Sequence, residues 1–219
     1  MKYDPDKHHR RSIRLKDYDY SQPGAYFVTI CTHQKEFLFG NIFDGQMRLS
    51  AVGALVLNVW EGLQQRFPTI ELDAFAVMPN HVHCIIVIAS VEAGLALPDN
   101  SHPVGAGLAL PRAQQAAPLQ IVQGAASSAP TLGDIIRAFK SISAIQGNRL
   151  LLRTGVPLWQ RNYYEHIIRD DNSLNRIREY IITNPMRWEL DRENPTRTGE
   201  DEFDRWLDSF EDRPLGYNS

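Results

Sequence analysis

Hydrophobic and polar positions follow several distinct periods along the chain, and each period predicts an element. Ala25-Tyr-Phe-Val-Thr-Ile-Cys-Thr32 is β-branched and aromatic and follows the turn-forming Ser21-Gln-Pro-Gly24, which predicts a first strand. Further short strands are expected near Phe37 to Phe43. From Ser50, a candidate N-cap, the residues Val52, Leu55, Val56, Val59 and Leu63 recur at helical spacing until Pro68, predicting an amphipathic helix over 50–67. Ile70 to Val77 and His81 to Ala89 read as two strands joined by the tight turn Met78-Pro79-Asn80, the second apolar enough to be central. Thr131 then caps a second helix carrying Leu132, Ile135, Ile136, Phe139 and Ile142 on one face. Leu158 to Arg169 is strand-like, and Asp170-Asp-Asn-Ser173 offers N-caps for a third helix running to Asn184 and stopped by Pro185. The order predicts an α+β, ferredoxin-like βαββαβ sandwich with an additional C-terminal helix.

Two regions fall outside this pattern. Residues 90–130 are rich in Ala, Gly, Pro and Ser, and repeat Ala93-Gly-Leu-Ala-Leu-Pro98 as Ala106-Gly-Leu-Ala-Leu-Pro111. That repeat is too short for a solenoid and reads as a low-complexity insertion without a part in the chemistry. The domain is therefore expected to span residues 1–188, followed by a tail over 189–219, with a short helix around Phe203 to Phe210 docked by Trp206 and Phe210.

Composition narrows the class. The 219 residues are 43% hydrophobic and 22% charged, which excludes collagen-like, wholly disordered and membrane-embedded chains. The charged N-terminus is followed by no apolar run, and the longest apolar run, Cys84 to Ala89, is too short to span a bilayer. A cytoplasmic protein with no membrane partner is expected. Cys31 and Cys84 lie in separate strand-like segments and read as reduced core residues. The formal net charge of −3 hides an asymmetry: residues 189–219 carry 10 acids and 4 bases, whereas the rest is basic. Lys2, Lys7, Arg10, Arg11, Arg14 and Lys16 form a basic N-terminal arm suited to an anionic polymer, although a solvated tail has the same composition.

The candidate chemistry begins at Met78-Pro-Asn-His-Val-His83. His81 and His83 are two apart on a predicted strand and share a face while Val82 packs on the other, so two imidazoles can hold one metal ion. A His-x-His pair alone also fits cupin-type iron or manganese sites and zinc hydrolases. In the predicted helix NSLNRIREYIITN, Leu174, Ile177 and Ile181 form the apolar stripe, and Tyr180 and Asn184 lie one turn apart on its flank. A phenol has a reference pKa of about 10, so Tyr180 needs a polarised substrate or a nearby base to act as a nucleophile. Tyr163 and Tyr164 alternate across a predicted strand and have no helical polar partner. Glu165 and His166 follow them as candidates for a supporting or DNA-contacting role.

Three strings taken together, Phe75-Ala-Val-Met-Pro-Asn-His-Val-His83, Leu158-Trp-Gln-Arg-Asn-Tyr-Tyr-Glu-His-Ile-Ile-Arg169 and Glu179-Tyr-Ile-Ile-Thr-Asn-Pro185, resemble the single-tyrosine HUH transposases. Within these the chain is most similar to the REP-associated tyrosine transposases, over roughly Tyr18 to Trp188. The resemblance implies that His81 and His83 bind Mg²⁺ or Mn²⁺, that Asn184 supplies a third metal ligand, and that Tyr180 is the nucleophile on the C-terminal helix. It implies cleavage and strand transfer of hairpin-forming, palindromic single-stranded DNA through a 5′-phosphotyrosine, in a bacterial, nucleoid-associated protein. Arg10, Arg11, Arg14, Lys140 and Arg161 are then candidate DNA contacts. A catalytically idle hairpin-binding regulator of repeat elements is the alternative, and an unrelated metal-dependent oxidoreductase or hydrolase a third reading. Whether one chain or a homodimer assembles the site stays open at this level.

Overall fold

The computed structural model describes residues 22–89 and 130–211. The basic N-terminal arm, with Arg10, Arg11 and Arg14, and the insertion over 90–129 lie outside the described residues. Strand β1 (Gly24–Cys31) is followed by a hairpin of β2 (Gly40–Phe43) and β3 (Gln46–Leu49), then helices α1 (Ala51–Glu61) and α2 (Leu63–Arg66). Strands β4 (Ile70–Met78) and β5 (His81–Ile88), helix α3 (Leu132–Leu150), strand β6 (Tyr164–Ile168), helix α4 (Asp171–Thr183), a 3₁₀ segment (Asn184–Leu190) and helix α5 (Glu202–Glu211) complete the chain. The main sheet has the order β4-β5-β1-β6 with every neighbour antiparallel, which is the ferredoxin-like arrangement.

Local sequence explains the element ends. Ser50 accepts a hydrogen bond from the Gly53 amide and caps α1, and Thr131 with Asp134 forms a reciprocal capping box on α3. The helix expected over 50–67 is interrupted at Gly62, which ends α1 before the short α2 begins. The β2–β3 hairpin turns at Asp44-Gly45, both at positive φ, the Asp-Gly signature of a two-residue turn. The strand expected over 158–169 starts only at Tyr164. Leu158 and Trp159 instead turn inward: both are buried, and the Trp159 indole donates to Ser143 Oγ at 2.9 Å.

The sheet divides the interior in two. Tyr26, Val28, Ile30, Val82, Cys84, Ile86 and Ile88 point to one side and pack with α1 and α3 around Trp60, Phe139 and Trp159. Phe27, Ile85 and Ile168 point to the other and pack with Ile177, Tyr180 and Ile181 of α4 and Phe203 and Leu207 of α5. The expected tail is therefore part of the domain, because α5 buries Phe203 and Leu207 against α4 and the sheet. Trp206 lies half-buried beside them, and the Phe210 ring is tilted against that of His166 with centroids 5.1 Å apart. Cys31 and Cys84 are free thiols, both buried. Among the described residues no helix is long and apolar enough to cross a membrane.

Candidate metal and tyrosine site

The alternation of β5 puts His81 and His83 on the α4 side, opposite Val82 on the α1/α3 side. Pairing with β1 sets Thr29 opposite His83 and Cys31 opposite His81. The two imidazoles are fully buried, and their Nε2 atoms lie 2.9 Å apart, aimed at one point.

Their rear nitrogens are held. Asn80 donates its amide nitrogen to the Glu193 carbonyl at 2.8 Å, which fixes Asn80 Oδ1 towards His81 Nδ1, also at 2.8 Å. Oδ1 is an acceptor, so His81 Nδ1 carries a proton and Nε2 is the nitrogen that faces the site. His83 Nδ1 meets Thr29 Oγ1 at 2.8 Å. Burial, and then the neighbouring His81, push the His83 pKa down and favour the neutral ring. Two Nε2 atoms 2.9 Å apart, with both rear nitrogens engaged, are placed to share one cation.

Helix α4 brings the tyrosine. Asp170 caps it by accepting from the Ser173 amide at 2.8 Å, and Ile177 and Ile181 seat it on the sheet. Tyr180 is 3% exposed, with its hydroxyl 3.4 Å from His83 Nε2. Its ring is edge-on to Phe27 and stacked on Phe203 at 3.7 Å. Burial, followed by the carboxylates of Asp191, Asp204 and Asp201, raises the phenol well above its ordinary value. The hydroxyl is therefore a poor nucleophile unless charge at the reacting phosphate and the proton are both managed.

Asn184 begins the 3₁₀ segment, with Pro185 in its first turn, and is 1% exposed. This segment reverses the chain and lays Asp191 over the histidines. Asp191 Oδ2 is 3.5 Å from His81 Nε2 and 3.6 Å from His83 Nε2. Burial alone would raise the Asp191 carboxyl; the two histidines outweigh it and hold it well below the usual carboxylate range. Around it, Glu193 accepts from the Cys31 thiol at 3.1 Å and pairs with Lys35 at 3.1 Å, while Asn194 donates to the Trp188 carbonyl at 2.9 Å.

The residues fit a divalent ion. Ligand atoms of His81, His83 and Asp191 all lie within 4.8 Å of one another. Asp191 Oδ2 and both polar side-chain atoms of Asn184 are buried without a hydrogen-bond partner. An orphaned buried carboxylate oxygen is costly, and a cation between Asp191 and the two histidines would satisfy it. The set of two imidazoles and a carboxylate accepts several first-row ions.

Sequence reasoning brought His81, His83, Tyr180 and Asn184 to the same end of the domain but missed Asp191, which it counted within an acidic tail. The available signal was position: Asp191 directly follows Asn184-Pro-Met-Arg-Trp-Glu-Leu190, a Pro-started helical turn too short to carry the chain away from the site. Of the basic candidates, Lys140 donates to the carbonyls of Gln160 at 2.6 Å, Arg161 at 3.0 Å and Asn162 at 3.5 Å, so it secures the 160–162 loop. Arg161 is exposed on that loop. His81, His83, Asp191 and Tyr180 of the one chain meet at this site.

No protein-family model matches the chain. A mixed α/β sandwich with an antiparallel sheet, two strand-borne histidines and a helix-borne tyrosine is the class that fold and site define. A Haemophilus influenzae "Uncharacterized protein" is 42% identical over 194 residues, covering 87% of this chain and 96% of that relative. A second Haemophilus influenzae protein, named "Putative REP-associated tyrosine transposase", is 22% identical over 169 residues, covering 77% of this chain and 74% of that protein. Among solved structures, a REP-associated tyrosine transposase bound to a REP hairpin aligns with TM-score 0.47 and 16% identity, over 80% of this chain and 74% of its own. A "putative transposase" from Deinococcus radiodurans aligns with TM-score 0.40 and 16% identity, over 77% and 95%. The chain belongs to one family with the 42% identical Haemophilus influenzae protein, and that family is related to the REP-associated tyrosine transposases.

Proposed function

We propose that the protein is a metal-dependent single-tyrosine HUH endonuclease and strand transferase acting on hairpin-forming single-stranded DNA. The observation that carries this reading is the convergence of His81 Nε2, His83 Nε2 and the Tyr180 hydroxyl on one point, under a buried carboxylate. Its sequence similarity to a relative named as a REP-associated tyrosine transposase points to the same chemistry. His81, His83 and Asp191, with Asn184 as the further ligand, would hold the ion, which when bound supplies charge neutralisation at the scissile phosphate. Tyr180 oxygen attacks phosphorus in line, its O–H proton passes to solvent or a neighbouring base, and the P–O3′ bond breaks with its electron pair on O3′. The products are a 5′-phosphotyrosine and, once O3′ takes up a proton, a free 3′-hydroxyl. A 3′-hydroxyl can reverse the exchange and join to the strand, because one phosphodiester linkage is traded for another. Thr29 and Asn80 keep the imidazole lone pairs aimed forward throughout.

One observation favours the second reading, a DNA-binding regulator without turnover: Tyr180 is almost fully covered and lies beneath the Phe203 ring. Both readings are tested by incubating wild type and Tyr180→Phe with labelled hairpin oligonucleotides from the gene's flanks, with Mg²⁺ or Mn²⁺, on denaturing gels. Metal-dependent cleavage and a covalent adduct in wild type are expected, with a loss on the order of 10⁴-fold or more in Tyr180→Phe. Hairpin binding without cleavage by either protein selects the regulator; neither binding nor cleavage sinks both.

A further inference from the structure

Helix α5 brings one more chemical group to the tyrosine. Phe203, near its start, lies with its ring stacked on that of Tyr180 at 3.7 Å, and the next residue is Asp204. Asp204 shares with His83, Tyr180, Arg192 and Glu193 the wall of a cavity of about 270 Å³ beside the site. The contact that seats α5 on the tyrosine thus also sets a carboxylate in the wall of the tyrosine's own cavity.

The fold makes little use of this carboxylate. Asp204 is 5% exposed, and neither of its oxygens has a hydrogen-bond partner. Arg192 Nε stands 3.8 Å from Asp204 Oδ1, at the edge of ion-pair range, while Arg192 Nη2 bonds Asp208 at 3.0 Å. A buried acid held so loosely is a burden on stability, and the apolar seat of α5 is already made by Phe203 and Leu207. Its neighbours have duties that Asp204 lacks. Asp201 accepts from the Phe203 amide at 2.7 Å and pairs with Arg187, and Glu193, the other carboxylate in the cavity wall, is engaged by Cys31 and Lys35.

We propose that Asp204 is the base of the reaction: its carboxylate takes the proton of the Tyr180 hydroxyl, directly or across one water, as the phenol oxygen attacks phosphorus. The proposal rests on the DNA-cleaving reading above and names the base which that reading leaves open. The O–H bond of Tyr180 breaks towards Asp204, the bond from phenol oxygen to phosphorus forms, and the P–O3′ bond breaks with its electron pair on O3′, which is protonated from solvent. In the reverse exchange the acid form of Asp204 returns its proton to the departing phenol oxygen. Charge around the carboxylate suits this task. Burial first, with Asp191, Asp201 and Asp208 behind it, pushes the carboxyl up to about 6 against the pull of Arg192, which makes a stronger base than an ordinary carboxylate. Burial and the nearby acids, Asp204 among them, also raise the phenol, so the proton stays on Tyr180 until a phosphate draws the oxygen forward.

The test uses the full chain with saturating Mn²⁺ and a saturating labelled hairpin oligonucleotide, cleaved in single turnovers across a pH series so that the rate is read apart from binding. Wild type is expected to cleave faster as pH rises through about 6 and then to level off. Asp204→Asn, which relieves a buried charge and so keeps the fold, is expected to lose that bend and to cleave on the order of 10²- to 10⁴-fold more slowly. Protonation of His81, His83 or Glu193 at low pH acts on both proteins alike, so the limb that counts is the one that disappears with the carboxylate. Placing the more acidic phenol of 3,5-difluorotyrosine at position 180 should restore much of the rate to Asp204→Asn, because such a phenol needs less help to lose its proton. If Asp204→Asn cleaves like wild type, keeps the wild-type pH profile, or gains nothing from the fluorinated phenol, the base is overturned and the cleavage reading stands. Absence of cleavage by wild type at every pH overturns both.

Discussion

Under α1 and α3 the sheet is sealed by Tyr26, Val28, Ile30, Val82, Cys84, Ile86 and Phe139, with Ser143 hydrogen-bonded to Trp159 as a rare buried polar group. Under α4 and α5 the same two central strands present Thr29, His81 and His83, and the cover includes Tyr180, Asn184, Asp191 and Asp204, all buried. One residue of offset along β5 separates the two environments. The first face stabilises by area removed from water and interdigitated rings, such as Trp60 stacked on Phe75 at 4.5 Å. The second holds orphaned acceptors and a desolvated phenol, an arrangement costly to the fold and useful to chemistry.

The largest effect should come from the apolar face. Phe139→Ala removes a ring that touches both Trp60 and Trp159 and should cost about 3–5 kcal/mol in urea unfolding. A loss below about 1 kcal/mol would show that this face is loosely packed and dissolve the contrast.

On the other face Asp204 gives a stabilising substitution. Its carboxyl is pushed up to about 6 by burial and nearby carboxylates, against Arg192. The folded chain then binds that proton more tightly than the unfolded chain, so stability falls as pH rises through about 4 to 6 and the loss persists above. Asp204→Asn should gain up to about 3 kcal/mol near pH 8 and nothing below about pH 4. His166 works in the opposite direction: burial and Arg169 push it down to about 4, so its contribution rises with pH between about 4 and 6.5. Melting temperatures of Asp204→Asn should therefore climb more steeply with pH across that window than those of wild type, in which Asp204 offsets the contributions of His166 and His83. An identical profile in the two proteins would show that Asp204 is not desolvated.

The histidine supports test the same face more gently. Thr29→Val removes the hydrogen-bonding partner of His83 Nδ1 while keeping shape, and should weaken Mn²⁺ binding by about 10- to 100-fold, read by calorimetry. Unchanged affinity would mean that His83 is oriented by packing against Phe27, 5.5 Å away, rather than by Thr29.

Legibility in the sequence followed this division. Strands, crossover helices and the face of His81 and His83 were written in periods of two and 3.6, because a sheet with an apolar side and a helix with an apolar stripe must show them. Tyr180 was legible as a position beside such a stripe, but as one bordering the core, whereas it is buried within it at 3% exposure. Asp191 was not, since a 3₁₀ segment has no amphipathic period and its charge looked like its neighbours' in the tail. Phe203 escaped for a related reason: the short helix was foreseen, with Trp206 and Phe210 as its docking residues, yet the deeper contacts are Phe203 and Leu207. Which residues of a single short helix face inward depends on the surface it meets, and that surface is built by distant segments.

The smallest expected effect concerns how α4 is held. Strand β4 shifts register between Leu72 and Phe75, and the bulge turns Asp73 towards α4, where Arg178 Nε lies 3.0 Å from both carboxylate oxygens. Arg178 is two residues from Tyr180, so the pair has the look of a clamp on the nucleophile. Its energetics argue otherwise: the Arg178 side chain is 41% exposed, and exposed ion pairs contribute about 1 kcal/mol at most. Ile177, Tyr180 and Ile181 are buried in the same helix and have far more area to hold it. A double-mutant cycle of Asp73→Asn and Arg178→Gln should therefore give a coupling below about 1 kcal/mol in unfolding. A coupling above about 2 kcal/mol would instead make the bulge and its ion pair the anchor of α4, and the polar face would then be held by electrostatics as well as used for it.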